Sequence, residues 1–85
     1  MLIGKETVHE YRGRGVIAAV KDGRVTIRYG DEYEMDYPYP WEFTKMLRLR
    51  EYDPEAQAEL DRDILAAKRA RAEAYRRDKE ARHHG

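Results

Sequence analysis

Two arginines set among glycines, Arg12-Gly13-Arg14-Gly15, form the shortest stretch of this chain whose residue types could do chemistry. Arginine–glycine segments grip RNA through phosphate contacts and stacking on bases. The motif occurs once, between two strand-like segments, where glycines also serve to bend a chain at a sheet corner. A second candidate is aromatic: Tyr29, Tyr33, Tyr37 and Tyr39, with Trp41 and Phe43. Rings gathered about one point make a cage for a methylated or cationic side chain. Exposed on a sheet, they stack single-stranded bases. A small domain also needs large rings to fill its interior. On that count Tyr29, Phe43 and Trp41 read as core, and Tyr33 and Tyr39, which flank turns, read as exposed. Third are the acids Asp31, Glu32, Glu34 and Asp36. Such a strand face serves as a solvated edge that resists aggregation, or as a negative patch that meets a basic partner or mimics phosphate. Last is a basic helix end, Arg76 and Arg77 with Lys68, Arg69, Lys79 and Arg82, broken by Glu73, Asp78 and Glu80.

The remaining inventory points away from catalysis. The chain has no serine and no cysteine, leaving Thr7, Thr26 and Thr44 as its only hydroxyls besides tyrosine. No phosphate-binding glycine loop, dinucleotide fingerprint or His-Glu-x-x-His occurs, and a domain of 85 residues seldom holds an enzyme-sized pocket. The expectation is a non-enzymatic protein without cofactor. No metal site is expected either. Hard cations need six or more converging oxygens, which the acids of residues 31–36 do not supply. His83 and His84 are adjacent rather than spaced for one helical face, and His9 reads as a half-buried structural histidine. The 17 basic and 17 acidic residues cancel, so the whole chain carries no single-sign field of the kind that holds nucleic acid. No apolar run approaches the ~20 residues of a membrane helix, and the start of the chain lacks a signal-peptide core, so the expected location is the cytoplasm.

Two differently composed halves must position these residues. Five of the six glycines precede residue 31, and β-branched residues cluster between Val8 and Ile27. Eight of the ten alanines follow residue 51. The first half is written for strands and the second for a helix. Strands are expected at Thr7–His9, Gly15–Val20, Val25–Tyr29, Tyr33–Tyr37 and Met46–Leu49. Asp22-Gly23 should close a two-residue hairpin, Gly30-Asp31 another turn, and Trp41–Lys45 one helical turn opened by Pro40. Five short strands with tight turns predict a small barrel over residues 1–50. Asp53-Pro54-Glu55 predicts a helix start, with an N-cap, a proline at the first position and an acid in the first turn. The helix should run over about 54–82 within the charged region 51–85 and span about 43 Å. Its apolar stripe, Ala56, Leu60, Ile64 and Ala67, ends early, so the second half should project into solvent.

The order of residues carries a resemblance. Val8-His9 is followed by Gly13 and Gly15, a branched Ile17, the alternating Val25, Ile27 and Tyr29, then Pro40, Phe43 and the closing Leu47 and Leu49. Over about residues 5–50 this resembles the SH3-like or Tudor-like module at the C-terminus of bacterial repair helicases. It is also similar to the RNA-polymerase-interacting domain of the transcription-repair coupling factor. Tyr11 departs from the helicase pattern, standing two rather than three residues after His9, with Arg12 in the third place. The helical tail has no counterpart. The resemblance implies a five-stranded SH3-like barrel that docks on a transcription, repair or other nucleoprotein machine, here followed by one long helix. The expected partner is a protein, with nucleic acid touched directly or through it, and no membrane. Contacts are expected at Arg12, Arg14, Tyr33, Tyr39, Arg76 and Arg77. One alternative is direct RNA or DNA binding through Arg12, Arg14 and the basic helix end. Another is a phage-type inhibitor of a host nucleoprotein enzyme that uses Asp31, Glu32, Glu34 and Asp36.

Overall fold

Asp22 and Gly23 both adopt positive φ, 53° and 73°, as a two-residue turn matched to strand twist requires. They join β2 (Gly13–Lys21) to β3 (Arg24–Tyr29) as the Asp-Gly pair predicts. In this computed structural model, which describes residues 1–83, Gly30 (φ 61°) opens the next turn into β4 (Tyr33–Pro38). β1 (Glu6–His9) precedes this meander, and a 3-10 turn at Trp41–Thr44 leads to the three-residue β5 (Leu47–Leu49). All neighbours are antiparallel and the order is β4-β3-β2-β1-β5.

The strands form an open sheet rather than the expected closed barrel, because no ladder joins β4 to β5 at its two ends. The chain leaves β4 at Pro38, which has no N–H to donate. It then crosses through Pro40 and the 3-10 turn to pair β5 with β1 alone. A helix contributes to the core instead. Ala56 and Leu60 of α1 (Pro54–His83) are buried with Leu2, Ile17, Val25, Ile27 and Leu47, and Ile64 packs against them. β2 carries a bulge: Ile17 opposes Ile27, and Ala19 opposes Thr26. The extra Ala18 bends the strand across the core.

Asp53 caps α1 as its sequence predicts. Its Oδ1 accepts from the N–H groups of Glu55 and Ala56, each at 3.1 Å, and its Oδ2 accepts from Lys5 Nζ at 2.5 Å. The packed part of α1 reaches further than its apolar stripe, since the Arg71 guanidinium stands 3.8 Å over the centre of the Trp41 ring. Residues 72–80 are exposed, and the molecule is 53 Å along its longest axis. No described helix is long and apolar enough to cross a membrane. Of the two terminal histidines singled out above, His84 lies outside the described residues.

Candidate functional site

The turns after β1 and β3 lie at the same end of the sheet, and the histidine that ends β1 organises that end. His9 is buried, and its Nδ1 accepts from the N–H groups of Tyr11 (3.1 Å) and Arg12 (3.3 Å). A nitrogen that accepts carries no proton, so the ring's hydrogen is assigned to Nε2, which faces Glu42 Oε2 at 3.8 Å. The imidazole therefore holds the loop carrying Tyr11 and Arg12 against the 3-10 turn carrying Glu42.

Rings continue outward from His9. Its imidazole stacks on Tyr37 at 5.3 Å, and the Tyr37 and Tyr29 hydroxyls share a hydrogen bond of 2.7 Å. Tyr29 in turn stacks on Tyr33 at 5.3 Å. Burial first, and then the bond to Tyr37, push the Tyr29 phenol well above its ordinary value, while the positive charge of Arg12 opposes that shift. Tyr29 is thus a neutral ring, fixed between Tyr37 and Tyr33. Two rings of the set reach solvent, Tyr11 at 76% exposure and Tyr33 at 44%. Asp31 and Glu32 lie exposed in the turn that leads to Tyr33.

The structure divides the residues singled out in the sequence. Tyr33 stacks on Tyr29, and Arg12 is held in the loop at the same sheet end through its N–H to His9 Nδ1. Arg14 lies on the outer face of β2, in register with Val8, which is in turn in register with Arg48 of β5. Tyr39 is not the exposed ring expected of it. Its hydroxyl donates to Asp63 Oδ2 at 2.5 Å and its ring meets Phe43 edge-on at 6.1 Å, so it joins α1 to the sheet. The turn it flanks is covered by the helix, which local spacing could not show. Trp41 is half-buried, as is Phe43. Arg76 and Arg77 lie on α1 beyond Arg71, in the exposed segment.

The glycines of the arginine motif have structural duties. Gly13 has φ 80°. A Cβ on Gly15 would fall 2.5 Å from Ile27 Cγ2 and 3.0 Å from the Arg28 carbonyl oxygen. Glu34 and Asp36 face outward from β4 as their alternation predicts, but cross-strand partners occupy them. Arg28 Nη2 lies 3.1 Å from Glu34 Oε2, and Thr26 Oγ1 donates to Asp36 Oδ1 at 2.7 Å. Among the described residues no cluster of three or more histidine or carboxylate side chains is placed to hold a metal.

The loop-tying role of His9, the partner Glu42 and the exposed Tyr11 were not foreseen. The one available signal was a histidine at a strand end followed within three residues by the N–H groups of a turn. No known protein-family model matches the chain, and neither a curated protein nor a solved structure is significantly similar to it.

Proposed function

We propose that this chain is a non-enzymatic, cytoplasmic docking module that binds a protein component of a transcription, repair or other nucleoprotein machine. In this reading its sheet is an SH3-like fold. The observation that carries the reading is the pair of exposed rings, Tyr11 and Tyr33, held at one sheet end over the buried Tyr29, Tyr37 and His9. Rigid aromatic side chains lose little entropy on binding and dominate protein interfaces. The exposed Arg12 adds a fork of donors in the loop after β1, and the exposed Asp31 and Glu32 add charge of the opposite sign in the turn after β3. The helicase-type resemblance of residues 5–50 supports the same class of partner.

The test is capture from nuclease-treated lysate with the native chain and with a Tyr11→Ser, Tyr33→Ser variant. A stoichiometric protein retained by the native chain and lost with the variant supports the reading. A partner whose activity falls on binding would make the chain an inhibitor. Retention by both forms would remove the aromatic end from the interface.

A second reading, direct contact with RNA or DNA, draws on Arg14 and Arg48 flanking Val8 on the outer face. It requires affinity that falls steeply with salt and recovery that nuclease abolishes.

A further inference from the structure

Among the described residues, nothing covers the side of α1 turned away from the sheet. Ala56 and Leu60 are buried under the sheet, whereas Ala58, Leu65 and Ala72 are exposed, Leu65 at 50%. Their seven-residue spacing keeps them near one line, drifting by only about 20° per heptad. Leu65 points opposite to Ala56, since nine residues at ~100° each make two and a half turns. The helix is also polarised along its length. From Pro54 to Asp63 four acids stand against Arg62, and from Ile64 to His83 seven bases stand against three acids.

We propose that this face is covered by a second copy of the same chain, with the two α1 helices antiparallel and a two-fold axis passing near Leu65. Antiparallel pairing brings the acidic half of each helix onto the basic half of the other. Parallel pairing sets like charge on like and is disfavoured. About that axis Leu65 meets its counterpart, and Ala58 faces Ala72 of the second copy. Alanines at these positions let the two backbones approach closely. Beside this seam Asp61 falls opposite Lys68, and Glu55 opposite Arg76, each pair occurring twice by symmetry. Arg62 and Arg69 fall opposite each other and oppose association. Asp61 accepts a bond from the Gln57 amide at 3.0 Å, a neutral partner that leaves its charge uncompensated. The arrangement leaves each sheet on the outside. It lays the exposed segment beyond Arg71 of one chain along the helix start of the other, near the exposed Tyr52 and Tyr75. The seam is narrow and charge-dependent, so the dimer is concentration- and salt-sensitive.

The chain has no cysteine, which permits a direct test of register. Sedimentation of the full chain over a range of concentrations at low salt should reveal a species of twice the 10.1 kDa chain mass. Leu65→Lys, at an exposed position where the fold is not at stake, should raise the dissociation constant at least about tenfold. Oxidising a mixture of Ala58→Cys and Ala72→Cys chains should form a mixed disulfide, while Ala58→Cys alone should not cross-link. A monomer at every concentration overturns the proposal. So does cross-linking of Ala58→Cys to itself, which is the mark of a parallel pair. Neither outcome bears on the aromatic end, whose partner is read by capture.

Discussion

Replacing Gly15 by alanine separates a structural glycine from a ligand-binding one. The added Cβ would sit 2.5 Å from Ile27 Cγ2 and 3.0 Å from the Arg28 carbonyl oxygen. Ile27 is fully buried, so its methyl group has no open space to enter, and the carbonyl belongs to the neighbouring strand. Overpacking of this kind costs about 1–3 kcal/mol. Two contacts this close, one of them with backbone, place the expected cost near the middle of that range, about 2 kcal/mol. For a domain of this size that corresponds to a fall in melting temperature of roughly 8–16 °C. Thermal unfolding followed by far-ultraviolet circular dichroism measures it. Arg14→Ala, one residue away on the outer face, should leave the melting temperature nearly unchanged. Truncating Ile27 to alanine is itself destabilising, by about 2–5 kcal/mol, but in that background the Gly15→Ala step should cost clearly less, because the clashing methyl is gone. A Gly15→Ala chain that melts with the native protein would refute the close approach. It would also return Gly15 to the arginine motif as a candidate ligand contact.

Three further outcomes follow from the way α1 is fastened. Tyr39→Phe removes the hydroxyl that bonds Asp63, and a bond to a charged acceptor makes the expected loss about 1.5–3 kcal/mol; amide exchange should rise in the first turns of the helix, and unchanged protection would contradict the joint. The Asp53 carboxyl is held below its ordinary value, 3.8, by the Lys5 bond first and then by the Ala56 N–H. A depressed carboxylate contributes stability that is present above the ordinary value and lost as pH falls through the folded one. The melting temperature should therefore drop on acidification below pH 4, and less so in Asp53→Asn, which keeps a capping side chain but no charge. Arg71→Ala uncovers the chain's single tryptophan, so Trp41 emission should shift to the red, and an unmoved spectrum would show that the guanidinium does not shield the ring.

The local punctuation of this chain was legible because single residues enforce it. Asp22-Gly23 can only turn, Pro40 opens the 3-10 turn as expected, and Asp53-Pro54 starts the helix where it should. What depends on the meeting of distant segments was not legible. Tyr39 flanks a turn and reads as exposed until Asp63, twenty-four residues later, is laid across it. Closure of the sheet is likewise a property of β4 and β5 together, and the strand pattern alone does not show that β5 pairs with β1 only. The aromatic end was half legible. Tyr33 is exposed and Tyr29 is core as their positions predict, but the ties from His9 to Tyr11 and Arg12 come from the fold of a turn.

The bulge in β2 is a shift of reading frame within a single strand. Before Ala18 the core-facing residues are odd-numbered, Gly15 and Ile17; after it they are even, with Val20 opposite the buried Val25 and packed on the core. Removing Ala18 would restore strict alternation without sending any of these side chains to the wrong face. The extra residue is therefore not needed for inside–outside patterning, and what it supplies is curvature. The bend that lets one strand serve both the β1–β5 side and the β3–β4 side of this sheet is written in one small residue, whose deletion would straighten the scaffold while leaving its hydrophobic code intact.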